Sequence, residues 1–336
     1  MRQRLQHTIM RWKALQYGIG LRTAVRPHAC FSLETHHPIQ CDNASGLDII
    51  RRAHPDGLIE IYRDVLITGH HPLAYSPSGK PIYSSAEEAT RNYRANKNFQ
   101  NNKKNSQKPL RFEKAILLDN GYGHFGHWIF EQLPRIIRAK NLEDYTVIVN
   151  RGEPATFEKE LLSTLGRKDI VVFDGTPIRV NNYAQVACPL LSGKNVESLQ
   201  QFASNLPTSN SPKRLFLSRQ GLTRRITNFS QILPILKKYD VHVWSPQKER
   251  VLDQIPVFRH AELIIGLHGS ALRNAIFMQS GHVVEIHGSF MEYGQKALLH
   301  HAPAQYHSLI SASPSTKSSG VSIDPGLLDE FLNELL

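Results

Sequence analysis

The stretch that decides the fold is "ELIIGLHGSALRNAIFMQSGHVVEIHG", Glu262 to Gly288. The apolar run "ELIIG" is typical of a buried strand, "SALRNAIFM" has helical spacing, and "HVVEIH" is a second apolar strand. A strand, a helix and a strand in this order predict a parallel sheet with the helix packed on it. Gly266 and Gly269 flank the turn before the helix, where glycine lets the backbone approach a ligand.

The same alternation extends on both sides of this stretch. Strand patterns upstream are "RLFLSR" and "VHVWSP", and an earlier series contains "KAILLD", "TVIVNR" and "DIVVFD", each followed by helical spacing. A segment rich in Pro, Ser and Asn separates the two series and reads as a linker. The sequence therefore predicts an α/β fold with two doubly wound, Rossmann-like domains that face a cleft.

The predicted regions follow from these patterns. Residues 25–85 contain short extended pieces, and residues 91–114 are polar, basic and without periodicity, which favours a solvated loop. "DPGLLDEFLNELL" begins with a helix start and has one apolar face. We expect a basic amphipathic helix at 1–24, an N-terminal domain at 25–205, a linker at 206–212, a C-terminal domain at 213–310 and a helix at 324–336.

The composition indicates which binding partners and which cellular compartment to expect. A net charge of +11 over 336 residues favours anionic partners such as nucleic acid, anionic lipid or phosphorylated substrates. The three cysteines have no metal-binding spacing, and no apolar run reaches the length of a membrane span. We expect a cytoplasmic protein. The basic stripe of the 1–24 helix fits either the inner face of a membrane or packing on its own domain.

Gly121, Gly123 and Gly126 have the spacing of a dinucleotide-binding turn. The residues between them, Tyr122 and Phe125 among others, are bulky where close backbone contact with pyrophosphate needs small ones. No acidic residue for ribose ends the next strand, "TVIVNR". The context argues against a dehydrogenase.

The helix that follows, Gly126 to Lys140, carries a candidate general base. His127 and Glu131 are one helical turn apart, and either side chain could take a proton from a substrate. Glu131 is the first choice for the base and His127 the second. The alternative is a solvated polar face on which Glu131 pairs with Arg135.

A candidate nucleotide site lies in the second series. Arg219, Arg224 and Arg225 follow a strand end, where guanidinium groups can hold phosphate. His268, Gly269 and Ser270 form the turn before a helix, whose N-terminus favours an anion. Glu285 ends the next strand and could accept bonds from ribose hydroxyls. The alternative is a set of solvated surface residues and a histidine bonded to backbone.

The segments "HWIFEQLPRI" (127–136), "LFLSRQGLTRRITN" (215–228) and "DQIPVFRHAELIIGLHGSALRNAIFM" with "VVEIHG" (253–288) resemble glycosyltransferase family 61. The resemblance implies a GT-B fold and inverting transfer of a sugar from a nucleotide-sugar. It places Arg219 and Arg225 at the diphosphate, His268, Gly269 and Ser270 under it, Glu285 near the nucleoside, and His127 and Glu131 on the acceptor side. The family's His-Gly-Ala-Gly-Leu turn is His-Gly-Ser-Ala-Leu here, which leaves the donor open.

The resemblance also sets the expected partners. These are a nucleotide-sugar donor and a glycan or lipid-linked acceptor, in capsule or lipopolysaccharide biosynthesis, with no nucleic acid. The chain has no Asp-x-Asp motif, so we expect no cofactor and no essential metal, with arginines in its place. The competing functions are a non-catalytic sugar-nucleotide-binding protein and a nucleic-acid-binding protein.

Overall fold

The computed structural model describes residues 59–69, 72–82, 108–118, 125–149, 156–186, 193–219, 225–287, 299, 302–310 and 320–336. The chain divides into two compact units, residues 1–198 (the N-terminal unit) and residues 199–336 (the C-terminal unit). The helix predicted at 1–24 lies outside the described residues, as do Gly121, Gly123 and Arg224. None of the described helices is long and apolar enough to cross a membrane.

A seven-stranded sheet forms the core of the N-terminal unit. Its strands are β1 (Ile59–Thr68), β2 (Leu73–Tyr75), β3 (Pro81–Ile82), β4 (Leu110–Leu118), β5 (Thr146–Val149), β6 (Ile170–Val172) and β7 (Ile178–Val186). In the order β3-β2-β1-β7-β4-β5-β6, the strands from β7 to β6 are parallel. The first three strands are antiparallel. The parallel pairing predicted for the strands from Lys114 onward is therefore confirmed, and the early extended pieces join the same sheet as antiparallel strands.

Strand β4 also corrects the loop predicted at 91–114. The strand begins at Leu110, and its first half pairs with β7 while remaining largely exposed. Polar residues are tolerated at this end because the side chains face water, and so the composition resembled a loop. The second half, from Ala115 to Leu118, is buried in the core.

The helix predicted at Gly126 to Lys140 is present but irregular. It has α-helical turns at Phe125–His127 and Leu133–Arg138, a π-helical stretch at Trp128–Gln132 and a 3-10 turn at Ala139–Asn141; the whole is α1. Glu131 and Arg135 are each only 3% exposed. The alternative of a solvated polar face is therefore wrong at these two residues.

The C-terminal unit is built on five parallel strands. They are β8 (Arg214–Leu217), β9 (His242–Trp244), β10 (Leu263–Leu267), β11 (His282–His287) and β12 (Gln305–Ile310), in the order β12-β11-β10-β8-β9. Counted along this unit, the order is 2-1-3-4-5, which is a doubly wound arrangement. Its switch point, where ligands bind in such sheets, lies between β8 and β10.

Helices cover both faces of this sheet. Alternate residues of β10 and β11, such as Ile265 and Val284, pack against α4 (Phe229–Lys238) and α6 (Pro325–Leu335). Helix α5 (Val251–His260) contacts β9 through the Phe258 and Trp244 rings, 5.2 Å apart. Two further helices of the described residues are α2 (Thr156–Thr164) and α3 (Gly193–Ser204), and α3 crosses the border between the units. The predicted start of α6 is confirmed, since Asp324 Oδ1 accepts a bond from the Leu327 backbone nitrogen.

The helix predicted after β10 is a 3-10 helix, Ser270–Phe277, rather than an α-helix. Strands β10 and β11 are neighbours in the sheet, and the connection must return along about 17 Å of strand. Eight residues cover about 16 Å at 3-10 pitch but only about 12 Å at α-helical pitch. The stretched helix therefore fits the short connection.

Candidate active site

The switch point of the C-terminal unit brings Arg219, His268 and Gly269 together. Arg219 follows β8, the other two residues follow β10, and Arg219 Nη1 donates to the backbone oxygen of His268 at 3.3 Å. A Cβ atom on Gly269 would lie 2.1 Å from the same Nη1. Glycine thus leaves room for the guanidinium group at the turn, and a positive charge lies where a doubly wound sheet binds its ligand.

Ser270 and Arg225 have different surroundings. Ser270 is exposed and begins the 3-10 helix, whose first amide groups have no acceptor within the helix itself. Arg225 is exposed before α4, and its backbone oxygen accepts a bond from Val321 N at 2.8 Å. Within the described residues, no hydrogen bond or ion pair joins Arg225 to Arg219 or His268. Its place at the diphosphate stays a prediction.

Gly320 lets its own segment of the chain approach the backbone of Arg225 closely. Its φ of +80° is one that other residues rarely adopt, and a Cβ there would lie 2.9 Å from the backbone oxygen of Arg225. Thr227 N donates in turn to Val321 O at 2.9 Å. The chain that leads into the C-terminal helix therefore anchors the loop that carries Arg225.

Glu285 is fully buried, and both of its carboxylate oxygens have protein partners. Oε1 lies 2.5 Å from Nδ1 of His268, and Oε2 accepts a hydrogen bond from the Tyr306 hydroxyl. Glu285 was expected near a nucleoside, as an acceptor for ribose hydroxyls, and that contact stays a prediction. In the structure the carboxylate instead holds the imidazole of His268.

His287 completes this buried group. Its Nε2 lies 3.2 Å from the Tyr306 hydroxyl and 3.6 Å from Glu285 Oε2. The His287 and His268 rings are stacked, with centroids 5.9 Å apart and planes at 23°. Burial lowers the pKa of His287, nearby Glu285 partly offsets this, and His268 adds to the lowering. Its surroundings therefore favour the neutral form of His287.

The second candidate pair lies in the N-terminal unit, on α1. Nδ1 of His127 is 2.6 Å from Oε1 of Glu131, as the i,i+4 spacing predicted. The His127 side chain is 22% exposed and that of Glu131 only 5%. Glu131 belongs to the π-helical stretch, and such stretches occur frequently at functional sites.

Aromatic packing and a buried amide surround this pair. Phe157 of α2 contacts the rings of Phe125 and Trp128 edge to face, at 5.1 and 5.8 Å. Gln132 is buried, its Oε1 accepts a bond from Arg135 Nη1 at 3.2 Å, and its Nε2 has no partner within the described part of the chain. Both sides of the helix are thus fixed by packing, and His127 is the more accessible member of the pair.

Residues 125–284 match the model of the family described as Glycosyltransferase 61. This match, over slightly less than half of the chain, supports glycosyltransferase family 61. The matched segment begins in α1 and ends in β11, so it contains His127, Glu131, Arg219 and His268 and stops one residue before Glu285. No curated protein matches the chain. A match to this family implies, in general, a sugar donor and an acceptor as substrates.

Three side chains of this glycosyltransferase could together reach a metal ion. The ligand atoms of His268, Glu285 and His287 lie within 4.8 Å of one another. Two ligands of one tetrahedral zinc ion, each about 2.0–2.1 Å from it, would be about 3.3 Å apart. The 2.5 Å between His268 Nδ1 and Glu285 Oε1 is too short for that and fits a direct hydrogen bond. That no metal is needed stays a prediction.

Tyr306 and Gln132 are residues of the glycosyltransferase sites that sequence reasoning missed. The signal for Tyr306 was the strand pattern "QYHSLI", because that strand lies beside β11 and brings the hydroxyl to Glu285. Gln132 directly follows Glu131, but nothing in its spacing predicted that a polar helix residue would be buried.

Proposed function

We propose that this glycosyltransferase transfers a sugar from a nucleotide-sugar to an acceptor hydroxyl with inversion of the anomeric centre. The donor diphosphate is assigned to Arg219, His268 and Gly269 of the C-terminal unit, with Arg225 and Ser270 as further contacts. The acceptor is assigned to the His127–Glu131 pair of the N-terminal unit. In this proposal, as in a GT-B fold, one unit binds the donor and the other binds the acceptor. The observation that carries the proposal is the 2.6 Å contact of His127 with buried Glu131, inside the matched family segment.

The proposed base is His127, with Glu131 as the group that orients it. The sequence favoured Glu131, but a carboxylate that is 5% exposed is a poor entry point for an acceptor proton. A histidine whose Nδ1 bonds a carboxylate can receive a proton at Nε2, while the carboxylate stabilises the imidazolium that forms. The exposed fractions therefore support His127 as the first choice for the base and Glu131 as the second, which is the reverse of the order that the sequence favoured.

The proposed reaction is a single displacement. The acceptor oxygen bonds to the anomeric carbon as its proton passes to His127 Nε2. The bond from the anomeric carbon to the diphosphate oxygen breaks, and its electron pair leaves with the nucleoside diphosphate. Arg219 and His268 would offset the charge that develops on this leaving group, a role that metal ions fill in other transferases. No essential metal and no other cofactor enters this scheme.

The proposed acceptor is a glycan or lipid-linked saccharide, in capsule or lipopolysaccharide biosynthesis at the inner face of a membrane. The net charge of +11 supports an anionic acceptor or membrane surface. We expect full-length protein to sediment with vesicles that contain anionic lipid, and protein without residues 1–24 to do so more weakly. Equal sedimentation of the two forms would count against the membrane contact.

Turnover tests the proposal directly. Nucleotide-sugars are first screened by thermal shift, since a ligand that binds the folded state raises the melting temperature. Transfer from the stabilising donor is then measured for wild type and His127→Ala. We expect His127→Ala to lower turnover about 10²–10⁴-fold and to bind the donor normally. Donor binding without turnover in the wild type would favour a non-catalytic binding protein, and salt-dependent DNA binding alone would favour a nucleic-acid-binding protein.

A further inference from the structure

The turn after β10 is tied to the sheet interior through side chains of two neighbouring strands. His268 Nδ1 lies 2.5 Å from Glu285 Oε1 of β11, and the Tyr306 hydroxyl of β12 donates to Glu285 Oε2. The His268 backbone nitrogen donates to Ile286 O at 3.0 Å, and its ring stacks on His287. Backbone and ring of His268 are therefore both held in place.

The burial of Glu285 determines where the positive charge of this group lies. A carboxylate with no solvent exposure is costly unless a cation and hydrogen bonds offset its charge. The Tyr306 hydroxyl is neutral, and burial lowers the pKa of His287, which favours the neutral form of that ring. His268, with 14% of its side chain exposed, is the remaining partner that can carry the proton.

We propose that Glu285, held by Tyr306, is a positioning residue that keeps the imidazole of His268 protonated, so that His268 joins Arg219 as a second positive charge on the diphosphate of the donor. This inference rests on the proposed function, because it concerns the same donor site. It gives Glu285 a role through His268 in place of a direct contact with the nucleoside.

The charges around His268 support this role. Among the described residues, Arg219, Glu285, His287 and Tyr306 are charged or titratable groups that face it from the end of β8 and from β11 and β12. Arg219 and a protonated His268 would place two positive charges at one turn, with a single buried carboxylate between the strands behind them. A bound diphosphate would neutralise the excess positive charge.

The test is calorimetry of inorganic pyrophosphate binding to the full chain between about pH 6 and 9, a range that spans histidine titration. Pyrophosphate carries no base or sugar, so its affinity reports the anion site alone. Wild type is compared with Glu285→Gln, and Asp240→Asn is the matched control. Asp240 also contacts a histidine, His242, at 3.0 Å, but that pair is exposed. Pyrophosphate itself also titrates with pH, and this contribution to the measured affinity is the same for all three proteins.

We expect wild-type affinity to fall as pH rises and His268 loses its proton. In Glu285→Gln this fall in affinity should occur about one pH unit lower. At the pH values where both affinities are falling, the variant should therefore bind about tenfold more weakly than wild type. Asp240→Asn should match wild type. His268→Gln should lose the pH-dependent part of the affinity and keep the part due to Arg219, and it serves as the test if Glu285→Gln does not fold.

Four results would overturn the inference. The role of Glu285 would be excluded if pyrophosphate affinity had the same pH dependence in Glu285→Gln as in wild type. It would also be excluded if His268→Gln kept the wild-type pH dependence. Both results would leave the donor site intact. Binding that disappears with a chelator and returns with Zn²⁺ would show that the three side chains hold an ion. No pyrophosphate binding by the wild type would instead remove the donor site of the proposed function and this inference with it.

Discussion

Gly269 lies directly against the guanidinium group of Arg219, so close that a Cβ atom would stand 2.1 Å from Nη1. A side chain at this turn would therefore displace the guanidinium group of a residue fifty positions earlier. Its φ of 160° is extended backbone, which any residue could adopt. Space for the arginine is the constraint, and it can be tested by filling that space.

We expect Gly269→Ala to displace the Arg219 guanidinium and weaken nucleoside diphosphate binding about tenfold, because a charged hydrogen bond contributes about 1.5–3 kcal/mol. Calorimetry measures the effect. Gly326→Ala is the control, since a Cβ there would contact only a side-chain oxygen, 3.3 Å away. If both alanine variants bind as wild type does, Arg219 does not contact the diphosphate.

Arg225 makes a separate prediction. Arg225→Ala should weaken nucleoside diphosphate binding about ten- to a hundredfold, by loss of a charge-assisted contact. Arg225→Lys should restore little, because an ammonium group cannot donate two parallel bonds as a guanidinium does. Arg259→Ala, at a half-buried arginine of the same unit, is the control. Unchanged affinity in Arg225→Ala would remove this residue from the site.

The catalytic pair predicts an order of effects on turnover. Glu131→Gln keeps the shape and a hydrogen bond to His127 but removes the charge that stabilises the imidazolium. We expect it to lower turnover about 10–10³-fold, less than His127→Ala, with donor binding nearly unchanged in both. Steady-state transfer assays measure the order. The reverse order would make Glu131 the base, and full activity of both variants would place the base elsewhere.

The C-terminal unit should lose stability in mild acid. Burial lowers the pKa of His307, and nearby His282 lowers it further. A histidine with a lowered folded-state pKa takes up its proton more readily when unfolded. Stability is therefore fully present above the unfolded value, near 6.5, and falls as pH drops through the folded value.

His307→Gln tests this dependence. Glutamine can still bond His282, whose Nδ1 lies 3.0 Å from His307 Nε2, but it does not titrate. We expect a smaller loss of melting temperature between about pH 7 and 5 than in the wild type. The control is His242→Gln, at an exposed histidine. A pH profile identical to the wild type would show that His307 contributes nothing to acid sensitivity.

Local patterns in the sequence determined much of this protein. Apolar runs and helical spacing predicted the parallel strands of the C-terminal unit and the start of α6, because these depend on neighbours close in the chain. The spacing of His127 and Glu131 predicted their contact, since one helical turn separates them. Glycines after a strand likewise indicated the turn at Gly269.

Only the tertiary structure decided which polar groups are buried and what they bond. Glu285 meets Tyr306 because β11 and β12 are neighbours in the sheet, and Arg225 is anchored by Val321, ninety-six residues later in the chain. The order of His127 and Glu131 as base candidates changed because burial depends on packing against distant residues. The periodicity of a sequence shows which residues share one face of a helix or strand. The residues that pack against that face depend on the tertiary fold.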